Sequence, residues 1–167
     1  LRNLGVRRAG KQRNLIAPPR KCSDENDPAK RSRALRAMAC MTNYARKRSG
    51  LRRFRVKRKL NRSANSKAAD MLRCGAFSHT ACKRPFDWWI KKKYVRGRCY
   101  WAGENIAWGS QGVGGARDIF KAWMKSPGHR ATILSRQYTD LGIGFRTGQF
   151  KGQSEARVWV QHFGRLC

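Results

Sequence analysis

The chain of 167 residues is long enough for one domain with a buried core, and no stretch of it approaches the roughly 20 apolar residues that a membrane-spanning helix needs. Its 39 Lys and Arg face only 9 Asp and Glu, a formal net charge of +30, so its surface must attract polyanions without sequence preference. It opens on Leu1 with no basic, apolar, small-residue series, which leaves any secretory signal to be judged from the cysteines.

Residues 1–34 are rich in Arg, Lys, Asn and Pro, hold few apolar residues after Ile16 and show no sustained period. They read as a basic, extended or disordered arm that Cys22 staples to a domain spanning 35–167. From Ala34 onward Ala37, Met38, Met41 and Tyr44 or Ala45 recur at three and four residues, which predicts a helix ending near Ser49-Gly50. Leu51, Phe54 and Val56 are expected to anchor the loop that follows. Leu60, Ala64, Ala68, Met71 and Leu72 line one face of a second helix, closed by Gly75. Pro85 to Tyr94 is a third helical candidate, with Pro85 in its first turn and Phe86, Trp89 and Ile90 inward. Ala116, Ile119, Phe120, Trp123 and Met124 define a fourth, which stops at Ser126-Pro127-Gly128, and a further helical turn carrying His129 follows. Alternation then replaces the helical period: Leu141, Ile143 and Phe145 in one segment and Val158 and Val160 in another predict two strands joined by a long loop, TGQFKGQSEA. Helices that precede strands point to an α+β arrangement.

The six cysteines, Cys22, Cys40, Cys74, Cys82, Cys99 and Cys167, contain no CxxC pair and no zinc-ribbon spacing. An even number in a short basic chain favours three disulfides and a secreted or extracellular protein whose signal peptide has been removed. The sequence leaves their connectivity open, with Cys22–Cys40, Cys82–Cys99 and Cys74–Cys167 as the preferred pairing.

The charge is concentrated. Arg46, Lys47, Arg48, Arg52, Arg53, Arg55, Lys57, Arg58, Lys59 and Arg62 fall in one run that contains no acidic residue. Such a run is either a solvated basic face or a polyanion-binding surface, for nucleic acid or an acidic glycan. Phe54 is its one aromatic, which is sparse for base stacking.

Chemistry-bearing residues are few: His79 in FSHTAC, Glu104 in WAGENIAWG, His129 in SPGHR and His162 in VQHFG. Each taken singly reads as a structural histidine or a hydrogen-bonding anchor. No HExxH, GxSxG or phosphate-cradling loop is present, so metalloprotease, α/β-hydrolase and P-loop readings have no support.

The order of the pieces is more specific than any one of them. A helix leading into FSHT, then GENIAWG, then AWMKSPGHRATIL, LGIGF and VWVQHFG resembles the CAP superfamily (the SCP domain of cysteine-rich secretory proteins, antigen 5 and pathogenesis-related proteins), in its bacterial extracellular branch. The resemblance covers about Ala37 to Gly164 and implies a three-layer α-β-α sandwich with a small antiparallel central sheet and a surface cleft. In the family's eukaryotic members that cleft is lined by two His and two Glu and can hold a divalent metal, often zinc. His79, Glu104 and His129 match three of those four positions, and Ser126 stands where the second Glu would be. A zinc site on the three that remain, open at the fourth position, would be weak or absent.

Three functions follow from these readings. The first is a monomeric, non-enzymatic binding protein for lipid or sterol, or for an anionic cell-surface ligand at the His79, Glu104, His129 and Ser126 cleft. The second is a polyanion binder acting through Arg46 to Arg62. The third is a cell-wall or peptide hydrolase using Glu104 as general acid or base with His79 and His129.

Overall fold

A computed structural model describes residues 14–23, 30–110 and 112–167. In chain order it contains α1 (Arg31–Arg48), β1 (Arg55–Val56), α2 (Arg58–Arg73), a 3-10 turn (Ala81–Lys83), α3 (Trp88–Lys93), β2 (Tyr100–Gly109), α4 (Ala116–Lys125), α5 (Pro127–Ile133), β3 (Asp140–Phe150) and β4 (Gln153–Leu166). The strands form one sheet in the order β1-β3-β4-β2. Its three long strands are antiparallel, and β1 adds a two-residue parallel edge on β3.

Side-chain alternation along the strands divides the core between two faces. Leu141, Ile143, Phe145, Trp159 and Phe163 pack with α1, α4 and Ile133 on one face. Val158, Val160 and Ile106 meet Ala64, Ala68 and Met71 of α2 on the other. Helices thus cover both faces of the sheet, the α-β-α sandwich of an α+β fold. Strands buried on both sides need not read as polar-apolar alternation, which is why GENIAWG gave no strand signal although it forms most of β2.

Contact between α2 and β3 depends on two glycines. A Cβ on Gly142 would lie 2.1 Å from the Leu60 carbonyl carbon, and one on Gly144 would lie 2.3 Å from that of Ala64. The close approach lets Asn61 and Asn65 accept the Ile143 and Phe145 backbone N–H groups at 2.8 and 3.1 Å. Beyond the two residues of β1, these side chains satisfy part of the β3 edge.

Several sequence expectations need correction. The long loop expected between the last two strands is a tight turn at Lys151-Gly152: both residues have positive φ, the requirement of a two-residue hairpin, and Phe150 stays in β3, edge-to-face with Trp108 at 5.4 Å. The third helix is only Trp88–Lys93, because Pro85 to Asp87 form a turn in which the Pro85 carbonyl accepts from Trp88 N–H, and Phe86 is exposed. Val56 is also exposed, so Phe54, buried beneath the Arg46 guanidinium at 3.6 Å, is the residue that anchors that loop.

The disulfides are Cys22–Cys40, Cys74–Cys82 and Cys99–Cys167. The first is the preferred pair; the other two correct the expected Cys82–Cys99 and Cys74–Cys167. Register explains the exchange. Tyr100 pairs with Leu166, so Cys99 must lie beside Cys167, and the chain leaving α2 at Cys74 turns back along that helix, bringing Cys82 Sγ to the Asp70 carbonyl.

Helix α1 begins at Arg31, within the residues read as an arm. Of that arm, 14–23 form neither helix nor strand; Ala17 and Cys22 are buried, and Arg117 donates to both of their carbonyls. The remainder of the arm, 1–13 and 24–29, lies outside the described residues.

Candidate functional site

Glu104 is the centre of a side-chain cluster that joins two histidines. It lies on β2 directly opposite His162 of β4, on the sheet face that meets α2. His162 Nε2 donates to Oε2 at 2.8 Å and His79 Nδ1 donates to Oε1 at 2.6 Å. A carboxylate can only accept, so these bonds fix both tautomers; His162, in its neutral form, accepts the Ser63 hydroxyl on Nδ1 at 2.7 Å. Lys67 of α2, with 3 % of its side chain exposed, places its ammonium 3.6 Å from Oε1 and donates to the His79 carbonyl. Burial opposes ionisation of Glu104, but the His162 and His79 hydrogen bonds and the Lys67 charge prevail and lower its pKa. Burial lowers the Lys67 pKa, and Glu104 works against that shift.

The loop that carries His79 is clamped at both ends. The Cys74–Cys82 bridge closes it, and Asp70, buried on α2, accepts from Arg73, Arg84 and the Trp89 indole, each at 2.8 Å. His79 itself reaches the surface: 54 % of its side chain is exposed.

The Ser126-Pro127-Gly128 break delivers His129 to the same region. Ser126 is the residue between α4 and α5, Pro127 occupies the first position of α5, and Ser126 Oγ lies 2.9 Å from His129 Nδ1. Asn105 Nδ2 donates to the His129 carbonyl at 3.2 Å and to Gln161 Oε1 at 3.1 Å; Gln161 in turn donates to Thr42 of α1. Burial, and then the neighbouring His79, lower the His129 pKa. The structure therefore brings His79 and Glu104 into contact and sets His129 near His79, bonded to Ser126 instead of Glu104.

These residues do not fit the divalent metal that the resemblance implies. Both Glu104 oxygens already accept imidazole N–H groups, and a buried ammonium supplies the positive charge beside them. Among the described residues no three His, Cys, Asp or Glu side chains are grouped so as to hold a metal ion. The same contacts engage both Glu104 oxygens and hold the carboxylate in one orientation. Lys67 is the site residue that sequence reasoning missed, and His162, singled out there as a histidine, was left out of the expected site. The signal for His162 was available: aligning GEN antiparallel to VQHFG places Glu104 opposite it.

The basic run divides by burial. Arg46 is buried; its guanidinium donates to the Arg52, Ile133 and Ser135 carbonyls, and burial together with the Arg136 charge lowers its pKa to about 10. It serves the fold, which removes it from the expected polyanion-binding set. Arg52, Arg53, Arg55, Arg58, Lys59 and Arg62 are exposed. Arg46, Arg52, Arg53, Arg55 and Arg136 line an open groove of about 510 Å³.

A disulfide-bonded α-β-α sandwich with a His-Glu-His cluster on its central sheet defines the class of domain. The chain belongs to the cysteine-rich secretory protein (CAP) family, whose model matches residues 40–163. Among curated relatives, the uncharacterized protein YkwD of Bacillus subtilis is 33 % identical over 126 residues, 74 % of this chain and 44 % of that protein. The membrane protein YlbC of the same bacterium is 28 % identical over 134 residues, 79 % of this chain and 37 % of that protein. The chain thus spans less than half the length of either. Among solved structures, an extracellular SCP-domain protein of Bacillus anthracis matches with a TM-score of 0.66 at 24 % identity, over 83 % of this chain and 44 % of that one. An outer surface protein of Borrelia burgdorferi matches with a TM-score of 0.62 at 18 % identity, over 78 % and 90 % respectively. At these identities the likeness establishes the fold.

Proposed function

We propose that the chain is a secreted, non-enzymatic CAP-domain binding protein whose basic face holds an anionic cell-surface polymer. The observation that carries this reading is a pair of adjoining grooves that share Arg55, one with Arg52, Arg53 and Arg136, the other with Arg58, Lys59 and Arg62. A polymer crossing both would meet cations spaced along its length and would release counterions as it bound. Phe54, the aromatic of the run, is buried, so the face presents charge without a base-stacking platform and favours an acidic glycan or polyphosphate over single-stranded nucleic acid. Three disulfides support an oxidising, extracellular setting, and no helix among the described residues is long and apolar enough to cross a membrane. Binding of fluorescent polyphosphate, with neutral dextran as control, tests the reading. Replacing Arg52, Arg53, Arg58 and Arg62 with Gln is expected to weaken polyphosphate binding by at least about tenfold, and unchanged binding would refute it.

A second ligand class is supported by a different groove. Between residues 14–19 and α4 lies an open space of about 1070 Å³ whose lining includes Leu15, Ile16, Pro18 and Met124, with Lys121 and Lys125 also on it. An apolar floor with cations beside it suits a lipid or sterol amphiphile. Retention on liposomes at moderate salt checks this, because apolar binding survives screening that charge attraction does not.

A further inference from the structure

Where α2 begins beside β1, an open groove of about 550 Å³ is lined by Arg55, Lys57, Arg58, Lys59, Arg62 and Arg96. The carboxylate on that lining, Asp140, is already engaged, accepting from Arg55 Nε at 2.8 Å and from the Tyr94 hydroxyl at 2.6 Å. Among the described residues, no carboxylate pairs with Lys57, Arg58, Lys59, Arg62 or Arg96. Fold stability gains nothing from gathering these charges: they repel one another, and the first turn of α2 carries cations and no acid, the unfavourable sign for a helix dipole. Five cations in excess of one neutralised carboxylate call for a multiply charged anion, and guanidinium groups match a tetrahedral oxyanion through paired N–H donors. Tyr94 and Leu166, also on the lining, offer less polar surface beside the charges.

We propose that this groove is a discrete binding site for a phosphate ester, clamped by Arg58, Arg62 and Arg96, with the group that carries the phosphate lying against Tyr94 and Leu166. The proposal rests on the anionic-polymer reading and narrows it to one groove and one anion class.

The test uses the full chain, isotope-labelled and titrated with inorganic phosphate or with chloride at matched ionic strength. Wild type is compared with an Arg58→Gln, Arg62→Gln, Arg96→Gln variant and with a Lys92→Gln, Lys93→Gln, Arg146→Gln variant that removes the same charge elsewhere. Saturable amide shifts confined to residues 57–62 and 94–96 are expected with phosphate. Their midpoint should rise at least about tenfold in the groove variant and stay within about threefold in the other. Shifts spread over all basic segments, shifts reproduced by chloride, or equal weakening in both variants would overturn the site. Polyphosphate separates this failure from failure of the broader reading: equal weakening of polyphosphate binding by the two variants removes the groove and leaves the basic face, whereas a wild type that ignores polyphosphate removes the face. Glycerol phosphate and phosphatidylglycerol vesicles then identify the source. Groove-dependent binding of either supports the site, vesicle capture placing the phosphate on a lipid and capture of glycerol phosphate alone placing it on a soluble ester; binding of neither overturns it.

Discussion

Glu104 and Lys67 form the most consequential buried pair of the molecule, and their energetics are asymmetric. Removing one member leaves the other as a buried, unpaired charge, which costs about 3–5 kcal/mol, whereas removing both costs much less. Urea unfolding of Glu104→Gln, Lys67→Met and the double variant should therefore be strongly non-additive, with the double variant more stable than the Glu104→Gln single. Asp70 makes a separate residue-scale test. Burial works against its ionisation, yet its bonds from Arg73, Trp89 and Arg84 lower its pKa. A depressed carboxylate pKa contributes stability that is fully present above the unfolded value near ~4 and is lost as pH falls through the folded value. Asp70→Asn should cost about 2–4 kcal/mol at neutral pH and flatten the decline of stability below pH ~4, measured by urea unfolding across that range. His79, Glu104 and His129 were legible from motif order. Lys67 was not, because nothing in SKAADM distinguishes a lysine that turns inward from the many that stay in solvent.

At the scale of elements, the seam between α2 and β3 positions the Glu104 cluster, since α2 carries Lys67 and Ser63 toward Glu104 and His162. Gly144→Ala would drive a methyl into the Ala64 backbone and should cost about 3 kcal/mol or displace α2. Gly128→Ala, where nothing lies within 4 Å, is the matched control and should change stability by less than about 1 kcal/mol. Thermal unfolding of the two variants checks the contrast. Helical periodicity exposed α1, α2 and α4 in the sequence because each buries one face only. The end of β3 was hidden because Lys151-Gly152 sits among polar residues that look like loop, and the two-residue turn is set by backbone conformation instead of hydrophobicity. The disulfide pattern likewise needed strand register, which the cysteine positions do not contain.

For the whole molecule, the bridge between Cys99 and Cys167 closes 68 residues and ties the start of β2 to the end of the chain. Chain-entropy reasoning gives it about 4 kcal/mol, more than the short Cys74–Cys82 loop, so a Cys99→Ser, Cys167→Ser variant should unfold at lower urea concentration than Cys74→Ser, Cys82→Ser. The charge of +30 is the property that composition announced and the fold organised, turning a linear run into grooves on both sides of Arg55 while withdrawing Arg46 into the interior. If that face holds a polyanion, binding must be driven by counterion release. The decisive measurement is the affinity of the wild-type chain for polyphosphate over a series of salt concentrations. A linear fall of log affinity against log salt is expected, steep enough for several phosphates at roughly 0.7 per phosphate, and shallower when the groove arginines are replaced. A salt-independent affinity, or a slope unchanged by those replacements, would contradict a basic face built to bind an anionic polymer.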